Sequence, residues 1–133
     1  MAERCAQNVS EQYIIPIFCG NTRLAHRLAS RLFRRYGIVS LICGRARLWD
    51  FLDPATRTLR FPEPACDRLR IEELSALADS YADTLPVLIP CDADWERCLS
   101  ENASLLESRF IFADPQSCLS GSPLSEICER FFA

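Results

Sequence analysis

Short apolar runs alternate along this chain with stretches whose apolar residues recur every three or four positions. The first run, "YIIPIFCG" (13–20), has strand length and ends in Gly. In the next segment, "NTRLAHRLASRLFRRYG" (21–37), Leu24, Leu28 and Leu32 align with Ala25, Ala29 and Phe33 on one helical face. Arg23, Arg27, Arg31 and Arg34 share the opposite face, Asn21 or Thr22 is placed to cap the start, and Gly37 to close the end. "IVSLICG" (38–44) is again a continuous apolar run. Strand, helix, Gly and strand in that order predict a βαβ unit whose strands are covered on both faces.

The second half repeats the theme. "RTLRFPEP" (57–64) predicts an edge strand in which Leu59 and Phe61 alternate until prolines stop it. "IEELSALADSYADT" places Ile71, Leu74, Leu77, Ala78 and Tyr81 at helical spacing, with Glu72 and Glu73 in the expected first turn. "LPVLIP" (85–90) predicts a fourth strand. A helix over 92–107 follows with Trp95, Cys98, Leu99, Ala103 and Leu106 inward, then a fifth strand at "RFIFA" (109–113) and a last helix in "SPLSEICERFF" (122–132). Five strands with helices between them predict an α/β, Rossmann-like three-layer domain with a mainly parallel five-stranded sheet. A doubly wound order of 3-2-1-4-5 is the expectation. Residues 1–12 read as a polar N-terminal tail and 13–133 as a single domain, as a chain of 133 residues predicts.

Composition narrows the chemistry. A net charge of -3 and the lack of a long basic run give no reason to expect nucleic acid. No apolar stretch has the length of a membrane span, and "MAERCAQNVSEQ" lacks the apolar core of a signal peptide, so a cytoplasmic protein is expected. All fifteen basic residues are arginines. Without a lysine, neither a Walker A loop nor a pyridoxal Schiff base can form within this chain. Of the eight cysteines, Cys19, Cys43 and Cys91 end apolar runs, while Cys98 and Cys128 fall on apolar helical faces. They read as buried, reduced thiols. With no C-x-x-C pair and a single His, a zinc site is not expected.

Ligands of such a sheet bind beyond the carboxyl ends of its strands. Three turns arrive there: Cys19-Gly20-Asn21-Thr22, Cys43-Gly44-Arg45 and Pro90-Cys91-Asp92. Gly20 lets the chain turn close to a ligand, and the helix after it offers free amides to an anion; an ordinary capped βα turn needs the same residues. The G-x-G-x-x-G fingerprint is missing, since Gly20 stands alone, which disfavours a nicotinamide cofactor. Arg45 and Arg47 suit a bidentate grip on phosphate or carboxylate, or else form a solvated loop. Trp49, Asp50 and Phe51 either pack that loop or lid a neighbouring site. His26 lies at the margin of its helix and reads as a boundary residue rather than a base. Asp92 is placed to cap the following helix, with Asp94 and Glu96 at the positive end of its dipole, and the same position can touch a substrate.

At "TLPVLIPCDADWERCLSENASLLESRFIFADPQ" the sequence resembles the N-terminal, pre-ATP-grasp domain of ATP-grasp ligases, of the carboxylate–amine ligase and carbamoyl-phosphate synthase large-chain-like kind. "IIPIFCGNTRLAHRLASRLFRRYGIVSLICGR" is similar to that group's opening strand–loop–helix–strand, and the likeness spans about residues 13–132. The resemblance implies a full-length enzyme that activates a carboxylate as an acyl phosphate for attack by an amine. ATP and Mg2+ would bind in later ATP-grasp domains of the same protein, beginning about where this sequence stops. This chain would then be inactive alone and hold no cofactor, its expected partners being those domains and a small carboxylate or amino-acid substrate. Gly20, Asn21, Thr22, Gly44, Arg45 and Asp92 are the expected substrate contacts, no residue is expected to be catalytic, and a homodimer is open. A free-standing nucleotide-binding domain and an arginine-faced interaction module are the alternatives.

Overall fold

In the computed structural model, which describes residues 12–45, 47, 50–60 and 66–115, the apolar runs become five parallel strands. They are β1 (Ile14–Cys19), β2 (Ser40–Gly44), β3 (Thr56–Arg60), β4 (Leu85–Pro90) and β5 (Ile111–Phe112), ordered β3-β2-β1-β4-β5. The expected doubly wound order is therefore the observed one. Register is set at the centre, where Ile17 pairs with Leu41 on one side and Leu88 on the other. Among the described residues four helices accompany the strands: α1 (Arg23–Tyr36), α2 (Asp67–Ser80), α3 (Ala93–Glu101) and α4 (Ala103–Leu106), and a 3-10 turn lies at Asp50–Leu52.

Because neighbouring side chains on a strand point to opposite faces, the central strands β1, β2 and β4 each feed two cores. Ile14, Phe18, Ile42, Val87 and Ile89 meet Ala25, Leu28, Ala29 and Leu32 of α1. Ile15, Ile17, Leu41, Cys43 and Leu88 meet Leu74 and Ala78 of α2 and Trp95 and Leu99 of α3 on the other face. The sheet is thus sandwiched between α1 and the α2–α3 pair, which is why its central strands carry almost no polar side chain. Fully burying a Leu or Ile contributes about 1.5–3 kcal/mol, so the central strands anchor the whole arrangement. Gln12, read from sequence as tail, is buried and belongs to the fold. Its amide exchanges two hydrogen bonds with the Val39 backbone, at 2.7 and 2.8 Å, and so continues the β1–β2 pairing through a side chain.

Several boundaries differ from the expectation. α2 begins at Asp67, one turn before Ile71, so Glu72 and Glu73 lie beyond its first turn, where Asp67 is the acidic residue. The 92–107 helix is interrupted: the side chain of Asn102 donates to the Cys98 carbonyl at 2.8 Å, ending α3 before α4 starts. Trp95, Cys98, Leu99 and Leu106 are buried as expected, while Ala103 is only half-buried. β3 starts at Thr56, and β5 is a two-residue strand whose side chains are exposed, with Phe110 before it taking the core position. Leu24, assigned to the apolar face of α1, is exposed. Trp49, Phe61, Cys128 and the expected 122–132 helix lie outside the described residues. Among the described residues no helix is long and apolar enough to cross a membrane.

Candidate functional site

The parallel sheet brings the turns after β1, β2 and β4 to one rim, and they are packed tightly against one another. The Gly20 amide donates to the Cys43 carbonyl at 2.9 Å, and the Cys91 amide donates to the Cys19 carbonyl at 2.9 Å. Two glycines make this closeness possible. A Cβ on Gly20, whose φ is +115°, would lie 2.5 Å from Oδ2 of Asp92; one on Gly44, at φ +148°, would lie 2.9 Å from the Asn21 amide nitrogen. Any larger residue at either place would push the loops apart.

Between these turns lies a cavity of about 300 Å3. Gly20, Asn21 and Thr22 arrive from β1, Gly44, Arg45 and Arg47 from β2, and Asp92, Asp94 and Trp95 from β4, with Arg70 reaching in from α2. All six residues singled out from sequence as substrate contacts line this one space.

Each side chain is held by a specific local interaction. Asp92 caps α3, its Oδ1 accepting from the Trp95 amide at 2.8 Å, so a capping carboxylate also faces the cavity. Thr22, rather than Asn21, caps α1 by accepting from the Ala25 amide at 3.2 Å. This frees Asn21, which is buried, for the β2 side: its Nδ2 donates to the Arg45 carbonyl and to Oδ2 of Asp50, both at 2.8 Å. With both amide hydrogens used, Asn21 Oδ1 faces Nε2 of His26 at 2.8 Å, while Nδ1 of His26 sits 2.7 Å from Oδ2 of Asp53. Asp50 also accepts from the Arg47 amide at 2.6 Å.

Sequence reasoning passed over His26 and Asp50 as site-building groups. His26 is a half-buried bridge between the β1 turn and Asp53, and Asp50 points inward instead of lying on a lid. The links that tie them across the rim, His26 to Asp53 and Asp50 to Asn21, span 27 and 29 residues of chain, which no local spacing could show. Arg70 was also missed. It sits on the buried face of α2, 3% exposed, with its guanidinium 4.3 Å from the centre of the Trp95 ring and 2.8 Å from Oδ2 of Asp94. A flat, delocalised cation on an indole face tolerates burial far better than an ammonium does.

The electrostatics follow from this pairing. Hydrogen bonds from Arg97 and then Arg70 hold the Asp94 carboxyl below its ordinary range, and Arg97 does the same for Asp67. Asp94 is therefore already committed to cations, and Asp92 to a helix amide. Arg45, by contrast, has no acidic partner among the described residues. Arg45, Arg47 and Arg70 against two engaged carboxylates make the cavity attractive to an anion. At the ends of β1 and β4, burial and then the neighbouring Cys43 raise the Cys19 thiol well above its usual range, and burial pushes Cys91 up to about 12. These thiols stay protonated near neutrality and do not act as nucleophiles. Among the described residues no group of His, Cys, Asp and Glu is arranged to hold a metal.

Comparison with protein-family models, with curated proteins and with solved structures finds no match for this chain.

Proposed function

We propose that this chain is a substrate-binding domain that holds a small carboxylate or amino acid at the rim of β1, β2 and β4, and that it is the substrate-side domain of an ATP-grasp carboxylate–amine ligase. The observation that carries the binding half is the meeting of three turns, with Arg45, Arg47 and Arg70, around a cavity of about 300 Å3. That volume is at the small end of ligand pockets and suits a compact acid better than a dinucleotide. Arginine side chains match a carboxylate with two parallel N–H donors, whereas the site has no glycine-rich phosphate loop for a nucleotide. The ligase half rests on the sequence resemblance, with the 3-2-1-4-5 parallel sheet in support. In this reading the domain orients the acid and leaves phosphoryl transfer to ATP-binding domains elsewhere in the enzyme.

Thermal shift of the 133-residue chain against small carboxylates and amino acids, beside NAD, ATP and S-adenosylmethionine, is the direct test. Stabilisation by an acid, lost in Arg45→Ala, is the expected result. Stabilisation by a nucleotide alone would favour a nucleotide-binding domain instead, and ATP turnover by this chain would refute the division of labour.

A further inference from the structure

Beside the first cavity is a second hollow of about 640 Å3, lined by Thr22, Arg23, His26, Arg27, Arg47 and Asp53. Thr22 and Arg47 line both spaces, so the two are neighbours at the start of α1. Its charge is lopsided. The lone carboxylate among its described lining residues, Asp53, already accepts from the Ala55 amide at 2.9 Å and holds His26 at 2.7 Å. Arg23 and Arg27 are exposed, lie one helical turn apart, and have no acidic partner among the described residues. Arg47 approaches from the loop after β2.

The position of these arginines is also costly to the bare helix. α1 has no acidic residue in its first turn and carries Arg23 at its first position, so a cation sits at the positive end of the dipole. An oxyanion between Arg23, Arg27 and Arg47 would reverse that penalty and accept from first-turn amides that the helix itself leaves without acceptors. Guanidinium groups from two separate elements around one open space fit a tetrahedral dianion, which accepts from several directions, better than a planar carboxylate.

We infer that this hollow is a phosphate-binding subsite, and that the ligand of the first cavity is a phosphorylated acid whose phosphate reaches it past Thr22 and Arg47. The second half rests on the proposed function; the first half does not.

The test is amide-resolved NMR titration of the 133-residue chain, separately with inorganic phosphate and with acetate. Phosphate is expected to shift residues 22–27 and 47, with affinity falling about tenfold or more in Arg23→Gln/Arg27→Gln, both exposed substitutions that leave the fold intact. Acetate is expected to shift residues 20, 44 and 92 and to be unaffected by that double variant. Absence of phosphate shifts at 22–27, less than about a twofold loss in the variant, or equal shifts with chloride at matched ionic strength would each overturn the subsite. If acetate fails while the phosphate response survives, the carboxylate reading falls and the phosphate subsite stands. A series of phosphono-carboxylates of increasing chain length tests the single-ligand half. At least one member should bind about tenfold tighter than phosphate, and a series with no such member overturns that half.

Discussion

A single carboxylate illustrates how this site divides its work. Asp92 caps α3 with one oxygen and presses the other toward Gly20 at the cavity wall. Asp92→Ala should cost about 1 kcal/mol, the usual worth of an N-cap, read as a lower urea midpoint. Asp92→Asn keeps the cap acceptor and should stay within a few tenths of a kcal/mol of the parent, while removal of a negative charge strengthens anion binding in the same cavity. Equal losses in both variants would show that the cap is not what holds this turn. Asp67 and Asp94 supply a second residue-level expectation. Both carboxyls are lowered by Arg97 hydrogen bonds, so they bind protons less readily folded than unfolded. Their stabilisation is complete above the ordinary carboxylate range, near pH ~4, and drains away as pH falls through the lowered folded values. Urea midpoints measured from pH 7 downward should fall less steeply in Arg97→Met than in the parent. Residue-scale reading from sequence went as far as local spacing allowed: the capping role of Asp92 was visible, whereas the Asn21–Asp50 and His26–Asp53 connections and the Arg70–Trp95 stack join residues 25 or more positions apart.

At the scale of elements, apolar patterning located the strands because each central one is covered on both faces and admits almost nothing polar. It failed where a side chain overrules periodicity. Asn102 stops α3 by bonding back to Cys98, and apolar residues on both sides of it hide the break. α2 starts earlier than its Leu–Ala stripe implies because its buried first-turn position is filled by Arg70, which any hydrophobic scan counts as surface. A buried polar pair tests the element packing. Ser40 and Thr56 face each other across β2 and β3, both buried, and neither hydroxyl has a hydrogen-bond partner among the described residues. Ser40→Ala should therefore leave stability unchanged or raise it by up to about 1 kcal/mol, measured by thermal unfolding. A loss of about that size would mean the hydroxyl is bonded.

Taken as a whole, the layered architecture keeps four of the thiols among the described residues out of chemistry. Cys19, Cys43 and Cys98 are buried and free, Cys91 is half-buried, and burial pushes Cys98 up to about 11 and Cys91 up to about 12. Cys66, at the exposed start of α2, is the contrast. Native-state alkylation near pH 8 followed by mass spectrometry should label Cys66 well ahead of those four, and denaturant should erase the difference. Rapid native labelling of Cys19 would contradict the packing described for the sheet. The α/β class was readable from alternating runs, whereas the strand order was not: the expected one was simply the common arrangement, and the observed order coincides with it. What the sequence could not supply was depth: how close the rim turns approach.

That closeness ties two distant positions into one inheritance. With the space at Gly20 already occupied by the Asp92 side chain, position 20 is not free to drift alone, although position 92 can shorten without it. A library randomised at both positions and selected for folding should yield side chains at 20 almost only in company with a shortened residue at 92.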